Sequence, residues 1–573
     1  MRTIPSLLSR AGISDLSRRQ FLRTGVGACA GLIAHPRAMF PTMAAPHGVD
    51  SISPIYFEHH ELPFTLENGK TSVKHVPETM AGGVAMFDYN NDGKVDIFLT
   101  NGAEMPGLNK SSRKYWNRLF RNDGNGQFTD VTESAGLSGT GYDTGVAVGD
   151  YDNDGFQDLF VAGVHHYTLY HNNGDGTFTD VTEKAGLTAN DPKYGPLWGV
   201  GGAWLDYNGD GHLDLFVVNY LRWDPGTEPA CPDYCHPGYY KGTPNRFYRN
   251  DGNGHFTDVS EQSGIRAFVG KGMAAAVADY DQDGRLDIFV TNDKMENFLF
   301  HNEGNGTFRE VGLETGVSVA SYGNLISGMG ADFRDVDNDG FPDIFFSALQ
   351  NETFPLFTNS GKGYFLDSTS ASGLSTLTNQ MSGYGVGIYD FDNDGWKDLF
   401  VACGHVQSTP LSQEMRIDEP NAVFRNLGNG KWTSLVEQAG FSVVPPARHR
   451  GAAFGDLDGD GRVDIVVNAL GAPAEIWLNR SPNSNHWLDV NLTGTRSNRD
   501  GIGATITIVT PAGKQTNHKT SAVGYASSSA GPVHFGLGKY DKVSLLEIRW
   551  PSGRRQQLKN VLADRTNTIV EGL

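Results

Sequence analysis

Seven copies of one acidic nine-residue pattern constrain this chain more than any other feature. The pattern is D-x-[D/N]-x-D-G-x-x-D, and its copies begin at Asp88, Asp150, Asp206, Asp279, Asp335, Asp390 and Asp456. Each copy crowds three or four carboxylates into nine residues, so the loop would repel itself without a cation. Oxygen-rich loops of this kind are what a hard divalent ion such as Ca²⁺ prefers. The sequence therefore predicts up to seven calcium sites.

Each loop is expected to coordinate through side-chain oxygens at positions one, three, five and nine and through the backbone carbonyl at position seven. Asn90 and Asn208 replace one carboxylate in two loops, which lowers ligand charge and should weaken calcium binding modestly. The predicted ligands are, loop by loop, Asp88, Asn90, Asp92, Lys94 and Asp96; Asp150, Asp152, Asp154, Gln157 and Asp158; Asp206, Asn208, Asp210, His212 and Asp214; Asp279, Asp281, Asp283, Arg285 and Asp287; Asp335, Asp337, Asp339, Phe341 and Asp343; Asp390, Asp392, Asp394, Trp396 and Asp398; and Asp456, Asp458, Asp460, Arg462 and Asp464.

A second motif follows each of the first six loops and defines the repeating unit. It reads LFRNDGNGQFTDVT from Leu119, with related copies from Leu169, Phe247, Leu299, Leu356 and Val423. Asn-x-Gly-x-Gly between two apolar runs is typical of a β-hairpin. One unit is then a Gly/Ala-rich strand, the acidic loop, a second strand, a third strand, a turn and a fourth strand. Seven such units, at intervals of about 60 residues, predict an all-β fold, a seven-bladed β-propeller.

Two other calcium-binding architectures fit the pattern less well. An EF-hand loop needs a Glu at its twelfth position and helical flanks. That position is usually apolar here, as at Leu99, Val161, Val217 and Val290. Calcium β-rolls repeat about every nine residues, whereas the acidic loops here recur about every 60 residues.

The seventh unit lacks a clear fourth strand of its own. We predict that residues 54–58 supply this strand and close the ring, which would hide open sheet edges. The alternative is that residues 487–490 supply it.

The N-terminal segment indicates export. Residues 17–24 read SRRQFLRT, and a short apolar run and small residues follow, as in a twin-arginine signal peptide. We expect a signal peptide over residues 1–44 and a periplasmic or secreted protein; a lipid attached at Cys29 is the alternative. The net charge of −20 argues against a nucleic-acid partner. After residue 45, no apolar stretch is long enough to be a transmembrane segment.

The repeats resemble the FG-GAP/VCBS repeats of integrin α-subunit propellers. The text from His486 onward, HWLDVNLTGTRSNRDGIGATITI followed by SSSAGPVHFGLG and IRWPSGRRQQLKNV, resembles the ASPIC/UnbV domain of the cartilage acidic protein family. Together the resemblances imply a calcium-binding propeller over residues 45–485 and a small ASPIC/UnbV domain over residues 486–573. We interpret this domain as a β-sandwich packed against the last blade, with strands at 504–509 and 543–550 and a hairpin turn at 551–553.

Three insertions mark the expected ligand surface. The connection between the second and third strands is long in blades one, three and six, over residues 96–122, 214–250 and 398–426. Strand alternation places all three on the face opposite the acidic loops. Long loops above a propeller channel often carry function, so we expect a protein or glycan ligand there. The alternatives are that the insertions only pack on one another, or that this face belongs to a periplasmic lyase or hydrolase.

Cys231 and Cys235 are predicted to form a disulfide, since export implies an oxidising compartment. A covalent haem site would need C-x-x-C-H, and a zinc site would need further ligands. Cys403 is expected to be buried. Six side chains near strand ends could line the channel mouth and perform acid–base chemistry, with structural roles as the alternative: His165, His166, His405, His449, Arg448 and Arg450.

Overall fold

The computed structural model describes residues 54–410, 412–413 and 415–572. Within this part of the chain, seven four-stranded antiparallel units follow one another. The innermost strand of each unit contacts those of both neighbouring units, and the seventh contacts the first. The fold is therefore the predicted seven-bladed β-propeller. The predicted signal peptide lies outside the described residues.

The blades have the following strands. In blades one to four they are, in chain order, Val84–Phe87, Asp96–Leu99, Arg118–Gly124 and Gln127–Asp130; Asp143–Gly149, Asp158–Gly163, His166–Asn172 and Phe178–Asp180; Gly199–Leu205, Asp214–Asn219, Arg246–Asn250 and Phe256–Asp258; and Gly272–Ala278, Asp287–Asn292, Phe298–Asn302 and Phe308–Glu310. In blades five to seven they are Ala331–Arg334, Asp343–Phe346, Leu356–Asn359 and Phe365–Asp367; Gly383–Tyr389, Asp398–Cys403, Ala422–Asn426 and Trp432–Ser434; and His449–Gly455, Asp464–Ala469, Pro473–Asn479 and Phe57–Thr65.

Short elements occupy the connections. Two pairs of two-residue strands are Asn190–Asp191 with Gly195–Pro196 and Thr243–Pro244 with Val269–Gly270. The short α-helices are Thr132–Ala135, Gly312–Thr315, Thr369–Ser372 and Leu374–Thr378, and the 3₁₀ turns are Val76–Thr79, Arg113–Tyr115, Pro237–Tyr239, Ile265–Ala267, Ser321–Gly323 and Phe441–Val443. No helix in the described part of the chain has the length and apolar character needed to span a membrane.

The second strand of each blade forms the core between neighbouring blades. Its side chains are apolar on both faces, and Phe160, Phe216 and Phe345 on these strands are fully buried. Both faces are covered because each blade packs against a neighbour on either side, which explains the near-continuous apolar runs after each acidic loop.

The N-terminal segment closes the ring, as predicted, although the strand spans Phe57–Thr65 and not residues 54–58. Phe57–Thr65 pairs antiparallel with Pro473–Asn479 as the outermost strand of blade seven. The Phe57 ring is fully buried, with its centroid 5.5 Å from that of Phe391 and 5.4 Å from that of Phe441. The chain thereby covers a sheet edge that would otherwise stay open.

Replacing Phe57 should destabilise the closed ring. We expect Phe57→Ala to lower the free energy of unfolding by about 3–5 kcal/mol, because it leaves a cavity between blades six and seven. Urea denaturation measures this loss. Tyr56→Ala, at a neighbouring ring that is 39% exposed, is the matched control and should cost much less. Equal losses in the two variants would contradict this account of closure.

The C-terminal domain is a β-sandwich. One sheet contains Val533–Gly538, His486–Thr493 and Thr566–Val570, and the other contains Gly513–His518, Thr505–Thr510, Lys542–Arg549 and Arg555–Leu562. Apolar side chains from both sheets form one core around Leu488, Ile506 and Leu546. Residues 487–490, the alternative closing strand, belong to this domain and not to blade seven.

The placement of this domain differs from the prediction. It lies over the acidic-loop face of the ring instead of against the last blade alone. The Asp150 N–H donates to Asp500 Oδ2 at 2.9 Å, and His534 Nε2 lies 2.7 Å from Asn393 Oδ1. Arg549 Nη1 also donates to a loop carbonyl of blade four at 3.3 Å. Contacts with three well-separated blades are possible because all acidic loops share one face.

A segment of the same domain fills the central channel. Residues 519–531, here called the channel segment, contain the short strands Ala522–Val523 and Ser527–Ser529. Ser527–Ser529 pairs parallel with the innermost strand of blade one, so that blade one belongs to a six-stranded sheet. Between the segment and blades three and four, the remaining gap is about 10 Å³, enough for at most one water molecule.

Candidate functional site

All seven acidic loops have the same hydrogen-bonded fold. In each, the first Asp accepts the N–H of the sixth-position glycine at 2.7–3.0 Å. The ninth Asp accepts the N–H of the second residue at 2.7–3.3 Å. The glycine has a positive φ, for example 96° at Gly155, which explains why this position is invariably glycine within the chain.

The residue at position seven of the second loop is Phe156, not Gln157. The N–H of Phe156 donates to Asp154 Oδ1 at 2.8 Å. The corresponding bonds in the other loops begin at the predicted position-seven residues, as in Lys94 to Asp92 at 2.9 Å. The prediction placed this ligand one residue too late along the chain.

The carboxylates of the loops converge as a cation site requires. One oxygen from each of Asp150, Asp152 and Asp154 lies within 4.8 Å of the others, and the same holds for the equivalent residues of blades four and five. Asp392 Oδ1 is buried without a hydrogen-bond partner among the described residues, and its side chain is only 4% exposed. Oxygen donors at this density, with an orphaned carboxylate oxygen, fit Ca²⁺.

Burial makes the charge on these loops unfavourable without a cation. Burial raises the pKa of the ninth-position Asp96, Asp158 and Asp287 to about 7. Burial and the Asp500 carboxylate raise the pKa of Asp150 to about 8. A divalent cation would therefore compete with protons for these oxygens, and its binding would release protons.

Cationic side chains already face some of the loops. Arg425 contacts Asp392 and Asp394 at 2.7 and 2.6 Å in blade six. In blade four, Arg549 of the C-terminal domain contacts Asp279. The loops therefore differ in how much charge the protein itself offsets.

An asparagine in the third strand joins each loop to the blade before it. In blade five, Asn359 Nδ2 donates to Tyr280 O in the loop of blade four at 2.9 Å and to Pro342 O in its own loop at 3.1 Å. The N–H of the same residue donates to Asp343 Oδ1 at 2.7 Å. The side-chain bond to the preceding blade recurs at Asn122, Asn172, Asn250, Asn302, Asn426 and Asn479.

The sequence interpretation assigned these asparagines only to hairpin turns. The seven-fold recurrence of Asn at this place was the available signal for a second role. Because Asn122 of blade one donates to Leu457 O of blade seven at 2.8 Å, the bonds form a closed ring.

Position four of the loops makes a second set of bonds between blades. Asn153 Nδ2 donates to Gly211 O in the next loop at 3.0 Å, and Asn338 Nδ2 donates to Gly395 O at 3.0 Å. Asn91, Gln282 and Asn393 make the equivalent bond. These residues have positive φ values, which Asn tolerates better than most residues. The loops are thus connected to one another along this face.

Removing one inter-blade asparagine should destabilise the ring. We expect Asn359→Ala to lower the free energy of unfolding by about 2–5 kcal/mol, because two buried carbonyls lose their donor. Urea denaturation against Asn429→Ala, an exposed turn residue, provides the measurement and its control. Indistinguishable midpoints for these two variants would show that the bond is dispensable.

The insertions of blades three and six meet on the opposite face. Asp233 accepts hydrogen bonds from the N–H and hydroxyl groups of Ser408 and Thr409 at 2.8–3.0 Å. Lys74 Nζ lies 3.1 Å from the same carboxylate. These donors, with burial opposing them, lower the pKa of Asp233. The insertions of blades three and six therefore pack on each other.

The first insertion is anchored separately. Lys110 Nζ lies 3.3 Å from Asp143 Oδ2 and donates to the carbonyls of Asn101, Gly102 and Tyr115 at 2.7–2.9 Å. Burial lowers the pKa of Lys110 to about 8. A buried ammonium with this many acceptors fixes the insertion to blade two.

The six side chains proposed for acid–base chemistry all make structural contacts. Burial, aided by Arg450, lowers the pKa of His405 to about 4. The contacts are His165 Nε2 with Trp223 O at 3.0 Å, His166 Nε2 with Asp143 Oδ1 at 2.6 Å, His405 Nδ1 with Gln407 N at 3.0 Å, His449 Nε2 with Glu475 Oε1 at 3.2 Å, Arg448 Nε with Asp418 Oδ1 at 3.5 Å, and Arg450 Nε with Thr79 O at 2.7 Å.

The cysteines behave as predicted. Cys231 and Cys235 form a disulfide within the insertion of blade three. Cys403 is free and buried. No further Cys ligand for zinc or haem lies in this insertion.

Family comparisons agree with this architecture. The model of the FG-GAP-like repeat matches residues 88–161, 150–217, 237–290, 279–346, 335–401 and 411–467. The chain belongs to the FG-GAP-like repeat family. The model described as ASPIC and UnbV matches residues 494–573, which is most of the β-sandwich.

This FG-GAP-like repeat protein also has curated relatives over most of its length. Cartilage acidic protein 1 of Mus musculus is 25% identical over 513 residues, which covers 86% of this chain and 74% of the relative. The Homo sapiens protein of the same name is 24% identical, with 86% of this chain and 72% of the relative covered. Repeats and relatives together indicate a propeller module of the binding or adhesion type.

Solved structures resemble the chain only at low similarity. A lectin from Agrocybe aegerita, described as recognising non-reducing terminal N-acetylglucosamine, is 16% identical with a TM-score of 0.39, covering 74% of this chain and 97% of the lectin. The Bacillus licheniformis rhamnogalacturonan lyase PL11 is 14% identical with a TM-score of 0.36, covering 74% of this chain and 75% of the lyase. Scores this low carry no functional inference.

Proposed function

We propose that this protein is an exported, calcium-stabilised propeller that binds a protein or glycan on the insertion-bearing face. The observation that supports binding over catalysis is the filled channel. An enzyme of this architecture would need a deep central pocket with converging His, Arg and carboxylate groups. Here the channel segment occupies that place, and the four His side chains and Arg450 make structural contacts. The disulfide in the insertion of blade three and the Arg-Arg motif support export.

Calcium has a structural role in this proposal. Hydrogen bonds from backbone N–H groups to the first and ninth Asp position the carboxylate oxygens of the loops. The cation would offset the repulsion among buried carboxylates and so stabilise the folded ring. A single site filled at 100 times its Kd contributes about 2.7 kcal/mol to the free energy of unfolding. Several such sites together would make the ring strongly dependent on calcium.

Chelation should therefore lower the melting temperature, and one loop can be tested alone. We expect Asp339→Asn to weaken calcium binding at this one loop, so that about one Ca²⁺ fewer is bound per chain at limiting calcium, because it removes one of three clustered carboxylates in blade five. Metal analysis after equilibrium dialysis, with melting curves in calcium and in EGTA, provides the measurement. Asp541→Asn, at an exposed carboxylate in the C-terminal domain, is the control. The calcium proposal is wrong if the parent chain takes up no calcium after dialysis and has the same melting temperature in calcium and in EGTA.

The ligand surface on the opposite face is shallow and basic. An open depression of about 430 Å³ is lined by Lys70, Arg416 and Arg448, and Asp418 is the one carboxylate among the described residues that line it. Arg416 and Lys70 are exposed, and their charge contrasts with the net charge of −20 for the whole chain. An anionic group, such as an acidic glycan or an acidic protein segment, fits this surface best.

Charge reversal on this face should weaken binding. We expect the double variant Arg416→Glu, Arg448→Glu to lose at least about tenfold in affinity for sulfated or uronic-acid glycans, with weaker binding of the parent protein at high salt. A glycan array followed by titration at two salt concentrations measures both. Lys542→Glu, on the C-terminal domain, is the matched control. Parent-like binding by the double variant, or equal binding of neutral glycans, would place the ligand elsewhere.

A further inference from the structure

The channel segment reaches from one face of the ring to the other. At the acidic-loop face, Lys519 Nζ donates to Ala530 O at 2.9 Å and to Gly531 O at 2.5 Å, which joins the two ends of the segment. At the opposite face, Tyr525 Oη donates to Met80 O at 2.6 Å. Tyr525 is fully buried. A single loop of the C-terminal domain therefore contacts both faces.

Serine side chains fix the segment to the innermost strands. Ser521 Oγ donates to Val148 O in blade two at 2.7 Å. Ser527, Ser528 and Ser529 accept the N–H groups of Val84, Val148 and Phe454 at 2.9–3.1 Å, in blades one, two and seven. These donors face the channel, where their own blades have no further strand, so the serine hydroxyl groups satisfy buried N–H groups. Movement of the segment would break bonds in several blades at once.

The tip of the segment supports the insertion-bearing face. The Tyr525 ring lies edge-on to Tyr384, with centroids 5.1 Å apart. The Arg450 guanidinium lies 3.9 Å from the Tyr384 ring centroid, and its Nε donates to Thr79 O at 2.7 Å. Thr79 and Met80 lie a few residues after Lys74, which pairs with Asp233 in the insertion of blade three. The floor of the proposed ligand face thus rests on the C-terminal domain.

We propose that the channel segment couples the two faces of the propeller. The coupling rests on the proposed function, because calcium stabilises the acidic loops on which the C-terminal domain packs. When these loops lose calcium and become mobile, the channel segment shifts, and residues 76–83 at the other face lose the hydrogen bond from Tyr525. Calcium at the acidic loops would then strengthen the binding of an anionic ligand on the insertion-bearing face. Since coupling between two binding sites is reciprocal, that ligand would strengthen calcium binding by the same factor.

Hydrogen exchange on the full mature chain tests the coupling. In EGTA we expect faster exchange in peptides covering residues 519–531 and also in those covering 76–83, which carry no acidic loop. Tyr525→Phe, which keeps the ring and removes only the hydroxyl, should speed exchange at 76–83 about fivefold even in calcium, the change for one buried hydrogen bond. Tyr540→Phe, a half-buried tyrosine of the same domain, is the control and should leave that segment unchanged.

A second arm works without calcium. Lys519→Met keeps the length of the side chain and removes the donors at the base of the segment. It should raise exchange at residues 76–83, at the opposite face, whereas Lys542→Met on the exposed surface should not. Unchanged exchange at 76–83 in Lys519→Met, or in EGTA when metal analysis shows that calcium has left, overturns the coupling while the calcium proposal stands. If the parent chain binds no calcium, the proposed function fails, and the Lys519→Met arm still decides whether the segment couples the faces.

Discussion

One buried carboxylate in each blade holds the local structure together. The ninth Asp of every acidic loop accepts the N–H of the second loop residue with one oxygen and the N–H of the third-strand asparagine with the other. It thereby ties the loop, the second strand and the third strand into one unit. The amide of that asparagine then reaches the loop of the preceding blade. Because the same arrangement occurs in all seven blades, local order in each loop becomes order of the whole ring.

The central channel imposes a second constraint. Innermost strands that approach both one another and a peptide segment leave little room for side chains. A Cβ on Gly330 would lie 2.8 Å from Tyr525 N, and one on Gly145 would lie 3.0 Å from Ala526 Cα. Glycines at these places are needed partly because the C-terminal domain occupies the channel. The serine run of the ASPIC and UnbV region has the complementary role, since its hydroxyl groups supply the missing hydrogen-bond partners.

Much of the fold could be predicted because it repeats. Seven acidic loops with seven alternating segments specify blades, and the N-terminal strand was predicted to close the ring because the last unit lacked an outer strand. The close spacing of Cys231 and Cys235, together with the oxidising compartment that export implies, predicted their disulfide. The inter-blade role of Asn359 and its equivalents was missed, since the hairpin turn already accounted for an asparagine at this place in the sequence. Position seven of the second loop is Phe156 and not the predicted Gln157, as the hydrogen bond at that position shows.

The sequence by itself determined what depends on local patterns: the acidic loops, their glycine turns, the alternation of strands and the sandwich strands that follow. Only the tertiary structure decided where the C-terminal domain sits, that its loop fills the channel and that the insertions of blades three and six meet through Asp233. These contacts join residues hundreds of positions apart, as from Met80 to Tyr525. No periodicity encodes them, because they arise only when seven blades have closed a ring and created a channel to fill.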